Sequence, residues 1–182
     1  MPVLIILVLI SIGSLQLAAV ANDEHGALSK SQKSFILSDS FSQLTKIEMI
    51  PRSVQLTFSK SLGETNFMAN PGTSFQEGCV SLTPPVPLRR LIFGALNQRH
   101  CLLFYERGGK VHIYCVALFE FTDKVAHLLW AGTVDPSARL QIRTLEQLRK
   151  AILDERVRDS ETLSLLGLKP HTIPTNRHLL FC

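Results

Sequence analysis

No Asp, Glu, Lys or Arg occurs before Asp23. Other absences close off whole classes of chemistry. The chain holds no Cys-x-x-Cys, His-x-His or His-Glu-x-x-His, so the usual zinc spacings are missing and no metal site is expected. It holds no Gly-x-Ser-x-Gly elbow, phosphate loop or dinucleotide fingerprint, so no cofactor is expected either. A basic stripe is also lacking. From residue 135 to residue 182 there are eight Lys or Arg against six Asp or Glu, so no segment concentrates the net charge of +4. A nucleic-acid binder would show such a stripe, and nucleic acid is not an expected partner.

What stands in the place of the missing charges is an apolar run, residues 3–10, followed by Ala18-Ala19-Val20-Ala21. An apolar stretch of roughly 7–15 residues before a small-x-small site is the pattern of a cleavable export signal. Ala19-Val20-Ala21 supplies that site. A retained anchor is the alternative, because residues 3–21 approach the roughly 20 apolar residues that cross a bilayer. The far end carries small residues rather than Trp, Tyr, Lys or Arg anchors, which favours cleavage. The signal departs from pattern in one respect, having no Lys or Arg near its start. The expectation is a signal peptide over 1–21 and one exported domain over 22–182, secreted or periplasmic, with no membrane span left after cleavage.

Cys79, Cys101, Cys115 and Cys182 are the four cysteines. In an exported chain an even count is usually paired, and disulfide bonds are expected among them, with the connectivity open. Cys101 and Cys115 lie in apolar stretches, where a buried thiol is the competing reading.

Along the exported part, residues 22–34 read as a loose lead-in before Phe35-Ile36-Leu37. Pro51 suits a first helical turn. Val54, Phe58 and Leu62 then repeat along one face until Gly63, which predicts a helix. Residues 89–96, 100–106, 111–121 and 125–131 read as strands with short turns between them. Strands that close can pair only antiparallel. They predict a four-stranded antiparallel meander over about 89–131. Its strands are apolar on both faces for much of their length, so flanking helices are needed as cover. Thr144 with Gln147 predicts a capping box and a helix through Leu145, Leu148 and Ile152. A further short helix is expected from Ser160. The fold class is α+β, the meander packed against flanking helices.

The densest group of chemically able side chains lies around Gly108-Gly109. A two-residue Gly-Gly loop predicts a type I′ or II′ hairpin. That register sets Tyr105 against His112, Leu103 against Tyr114 and Glu106 against Val111, with Cys101 and Cys115 on opposite faces. His112 and Tyr105, with Glu106, are the candidate catalytic residues, since histidine moves protons near neutral pH. The competing reading is a packed cross-strand aromatic pair. Arg89 and Arg90 start a strand with one guanidinium on each face. One is expected to meet a carboxylate such as Glu106 or Glu120, and either suits an anion. Tyr114 joins them as a candidate binding residue. His171 and His178 flank a proline-broken loop. With no readable set of nucleophile, base and orienting group, a non-catalytic binding domain for a protein or small-molecule ligand is the favoured function. A hydrolase using the Tyr105–His112 pair is the alternative.

Overall fold

The structure, a computed structural model, describes residues 28–62, 67–79 and 85–159. The expected export signal, the helix expected from Ser160, His171, His178 and Cys182 lie outside the described residues. The helices are α1 (Lys30–Ser38), α2 (Arg52–Leu62) and α3 (Leu145–Leu153). The strands are β1 (Ser42–Leu44), β2 (Arg89–Leu96), β3 (His100–Arg107), β4 (Ile113–Phe121), β5 (Ala126–Val134) and β6 (Val157–Asp159). No helix among the described residues is long and apolar enough to cross a membrane.

The sheet corrects the four-stranded expectation. It has six strands in the sequential order β1-β2-β3-β4-β5-β6, each antiparallel to its neighbour, and it curls into a half-barrel. β2 to β5 occupy the expected stretch. β1 adds to the outer side of β2 at Gly94, Ala95 and Leu96, and β6 adds to β5 at Gly132, Thr133 and Val134. Each added strand is only three residues long, too short to show the alternation by which strands are read.

Helices cover both faces. On one face Leu103, Tyr105, Ala117 and Phe119 pack with Val54 and Phe58 of α2. On the other, Leu102, Phe104, Val116 and Leu118 pack with Ile36 of α1 and with Leu148 and Ile152 of α3. A strand buried on both faces has no polar side to show, which is why β3 and β4 read as nearly continuous apolar runs. Phe58, Phe104 and Phe119 are 0%, 1% and 0% exposed. Burying each contributes roughly 1.5–3 kcal/mol.

Local signals start the helices. Ser29 and Gln32 form a capping box on α1, and Thr144 and Gln147 form the expected one on α3. α1 therefore begins at Lys30, inside the stretch expected to be a loose lead-in. Its nine residues would be marginal alone. Tertiary bonds hold it: Gln32 donates to the Leu129 carbonyl at 2.9 Å, and Arg149 of α3 donates to the Ile36 and Asp39 carbonyls at 2.7 and 2.6 Å.

Two bulges reassign faces. The β2–β3 register shifts between Leu91 and Phe93. Leu91 consequently joins the α2 face, whereas Phe93 joins the α1/α3 face. A second shift in β4–β5 falls between Leu118 and Phe119. An inserted residue bends a strand and turns its following side chains over.

The β3–β4 hairpin differs from its expected form. Arg107 pairs with Ile113, Glu106 with Tyr114 and Tyr105 with Cys115, so residues 108–112 form a five-residue loop. A type I′ or II′ turn needs positive φ at its first central residue, and of the two glycines only Gly109 has it, at 106°. Contacts from elsewhere set the loop. Gly108 N–H donates to the Leu88 carbonyl at 3.0 Å, and Gly109 N–H donates to the Glu77 carbonyl at 3.2 Å. Gly108 must stay side-chain free, because a Cβ there would lie 1.8 Å from the Gln76 carbonyl oxygen.

The true register puts Cys101 opposite Phe119 and Cys115 opposite Tyr105. Both thiols face α2, not opposite sides as expected. They sit four residues apart along the pair, roughly 13 Å at the usual strand rise, beyond the reach of a disulfide. Both are free and buried. Cys79 is exposed.

Candidate functional site

Four of the six residues singled out from the sequence meet at one corner of the sheet. Arg90 of β2, Glu106 of β3 and Tyr114 of β4 form a row across three neighbouring strands. The odd-looking feature of that row is an acid near the interior. Glu106 is 5% exposed, and a buried carboxylate is costly unless charged or donating groups satisfy it. Here they do. Arg90 Nε donates to Oε1 at 2.7 Å, and His112 Nε2 stands 2.8 Å from Oε2. An ionised carboxylate only accepts. Against an ionised Glu106 the donor is therefore His112 Nε2, and in the neutral imidazole Nδ1 is then an acceptor. Among the described residues nothing bonds Nδ1.

Rings and guanidinium groups extend the corner into a continuous stack. Arg90 lies over the Phe75 ring at 4.3 Å, and Phe75 meets His112 edge-on at 5.8 Å. His112 stacks on Tyr114 at 5.2 Å with 19° between planes, and Arg139 lies over Tyr114 at 5.5 Å. Cation–ring contacts of this kind contribute about 0.5–1 kcal/mol each where solvent reaches them. Arg90 also donates to the Thr73 carbonyl at 3.0 Å, which fastens the segment before β2 to the sheet.

Tyr105 and Arg89 are not part of this corner. Adjacent strand positions face opposite ways, and both residues belong to the α2 side. Tyr105 is 0% exposed and packs edge-on against Phe58 at 5.5 Å. Its hydroxyl has no full hydrogen bond among the described residues; the Cys115 thiol opposite is a weak partner. Burial, then the Cys115 thiol, pushes the phenol well above its ordinary range. Burial likewise pushes the Cys115 thiol up to about 11 and Cys101 up to about 12. Arg89 is 2% exposed, its guanidinium 5.8 Å from the Phe58 ring centre. The expected Tyr105–His112 pair does not form, because the five-residue loop moves His112 out of register with β3.

Phe75 and Arg139 are members of the corner that the sequence did not single out. They reach it from the α2–β2 connection and from the 3-10 turn Arg139–Gln141, and no local pattern links either to Tyr114 or His112. Two surface hollows lie elsewhere, one beside Lys46, Glu48 and Asn70, the other beside Arg99, Glu120 and His127. Among the described residues no group of three or more His, Cys, Asp or Glu is placed to hold a metal ion. The chain matches no known protein family, and neither curated proteins nor solved structures show a match to it.

The solvent side of the corner is unusual for its apolar content. Val111 and Leu140 are each 67% exposed, the highest values among the large hydrophobic residues described. Val111 directly precedes His112, and Leu140 directly follows Arg139, the two residues that stack on Tyr114. Lys110 beside Val111 is also exposed. The arrangement offers a held aromatic ring, flanking cations and two open aliphatic side chains.

Proposed function

We propose that this chain is an exported, non-catalytic binding domain whose contact surface is the outer end of the β3–β4 hairpin, with Val111, His112, Tyr114, Arg139 and Leu140 at its centre. The observation that carries this reading is the Tyr114 stack. Its ring is fixed by His112 and Arg139 while the two most exposed aliphatic residues flank the same pair. Tyrosine and arginine are over-represented among the residues that dominate interface energies. A ring already held in place loses little freedom on binding, and that lowers the cost of association. Beneath the surface, the buried Glu106 carboxylate supports it through the half-buried Arg90 and His112.

Selection from a displayed random-peptide library tests the reading. The wild-type domain is expected to enrich related sequences, and the same selection on a Val111→Ser, Leu140→Ser double variant is expected to lose them. Enrichment that the double variant retains would place the contact surface elsewhere.

One observation favours a second reading, a proton-transferring hydrolase. Glu106 holds His112 through Nε2, so that in the neutral imidazole Nδ1 is a free acceptor, which is how a general base is held. Under this reading His112→Gln removes most of the activity on a chromogenic ester or amide panel. The expected result under the binding reading is no turnover above background by either protein.

A further inference from the structure

The unanswered charges at the same corner point to the partner's chemistry. Among the described residues, each acid near it is already committed. Glu106 is shared between Arg90 and His112. Asp135 accepts from the Ser137 hydroxyl at 2.6 Å and the Ser137 backbone at 2.8 Å, and lies 3.6 Å from Arg158. Glu77 turns toward Arg90 at 4.0 Å. Lys110 and Arg139, by contrast, form no ion pair among the described residues, and they sit next to the exposed Val111 and Leu140.

We propose that the hairpin end docks an acidic polypeptide segment, whose carboxylates meet Lys110 and Arg139 while its apolar side chains rest on Val111, Tyr114 and Leu140. This rests on the binding reading above and adds the partner's class to it. An extended acidic chain suits the surface better than a lipid bilayer does. Anchoring on a bilayer needs a broad apolar face or several signals acting together, and this corner shows two aliphatic side chains. Exposed charges govern encounter rate and partner choice more than affinity. Binding is therefore expected to be salt-sensitive, weakening on the order of tenfold between low and high salt as screening shortens to a few ångströms.

Fluorescence anisotropy with labelled synthetic peptides tests this directly. Three peptides of one length carry Leu and Phe at alternate positions, interleaved with Asp and Glu, with Asn and Gln, or with Lys. Phosphatidylserine vesicles provide a fourth probe. The acidic peptide is expected to bind, and the neutral and basic ones to bind at least about tenfold more weakly, consistent with charge-directed partner choice. A Lys110→Glu, Arg139→Glu variant should lose the acidic peptide and gain the basic one. Equal binding of acidic and neutral peptides, abolished by Val111→Ser with Leu140→Ser, would overturn the acidic partner and leave the binding surface standing. Binding of vesicles alone would overturn the peptide in favour of a lipid surface. Failure of all four probes would overturn the acidic partner, and if the library selection is also empty, the binding reading with it. Trp130 fluorescence confirms that each variant is folded.

Discussion

His112 Nε2 stands 2.8 Å from Glu106 Oε2, although the residue opposite Glu106 in the sheet is Tyr114. The loop, not the strand register, brings the imidazole to the carboxylate. Glu106 is thereby satisfied from two directions, by a strand neighbour and by a loop residue.

The first prediction concerns that satisfaction. Glu106→Ala removes the carboxylate that the half-buried Arg90 and His112 share, leaving Arg90 only the Thr73 carbonyl and the more distant Glu77. Breaking a buried ion pair usually costs about 3–5 kcal/mol. Arg90 and His112 keep 24% and 32% side-chain exposure, so the lower end, about 3 kcal/mol, is expected. His112→Gln, which retains a donor, should cost under about 1 kcal/mol, the ordinary net worth of one hydrogen bond. Urea unfolding followed by Trp130 fluorescence measures both. Equal losses would mean that the imidazole contributes as much to the corner as the carboxylate does.

A second prediction follows from cover on both faces. Phe119 packs toward α2 and Phe93 toward α1 and α3, at 0% and 3% exposure. Either truncated to Ala should cost about 3–5 kcal/mol. A melting temperature unchanged by Phe93→Ala alone would show that the α1/α3 layer contributes little.

Gly108 provides a test of the loop. An added Cβ would meet the Gln76 carbonyl at 1.8 Å, whereas one at Gly78 meets nothing within 4 Å. Gly108→Ala should lower the urea midpoint clearly, and Gly78→Ala should leave it near the wild-type value. Matching midpoints would mean that the hairpin loop does not rest on the 76–77 segment.

Alkaline pH should expose the buried thiols. Burial holds Cys101 at about 12 and Cys115 at about 11, whereas a free thiol in the unfolded chain titrates near 8.5. Folded pKa values lie above unfolded ones, so the unfolded state gives up protons first. Stability is full below roughly pH 8.5 and declines as pH rises toward the folded values. In the folded protein at pH 8 both thiols should resist a thiol-reactive disulfide reagent, and in urea both should react. Rapid labelling of Cys101 or Cys115 without urea, beyond that of the exposed Cys79, would contradict this packing.

The proposed export makes the last prediction. Produced in a host with a working secretory pathway, the protein should be recovered beginning at Asn22, as intact mass would show. Recovery with residues 1–21 attached and membrane-bound would identify an anchor instead.

The sequence by itself determined what depends on neighbours along the chain. The cap at Thr144, the start of α2 after Pro51 and the places of β2 to β5 follow from local hydrogen bonding and apolar period, whereas the cap at Ser29 lay in a stretch that read as a loose lead-in. The sequence linked one of Arg89 and Arg90 to Glu106 or Glu120, because adjacent strands with a short turn leave few pairings; the structure selects Arg90 with Glu106. What only the tertiary structure decided depends on contacts between distant segments. β1 and β6 are three-residue strands that exist because a sheet edge receives them. The bulges near Ile92 and Leu129 turn side chains over without a local signature. The hairpin loop took five residues because Leu88 and Glu77 accept its N–H groups, and those two bonds outweighed the turn preference of Gly108-Gly109. That single change separated Tyr105 from His112, joined His112 to Glu106, and set the corner where Phe75 and Arg139 complete the stack.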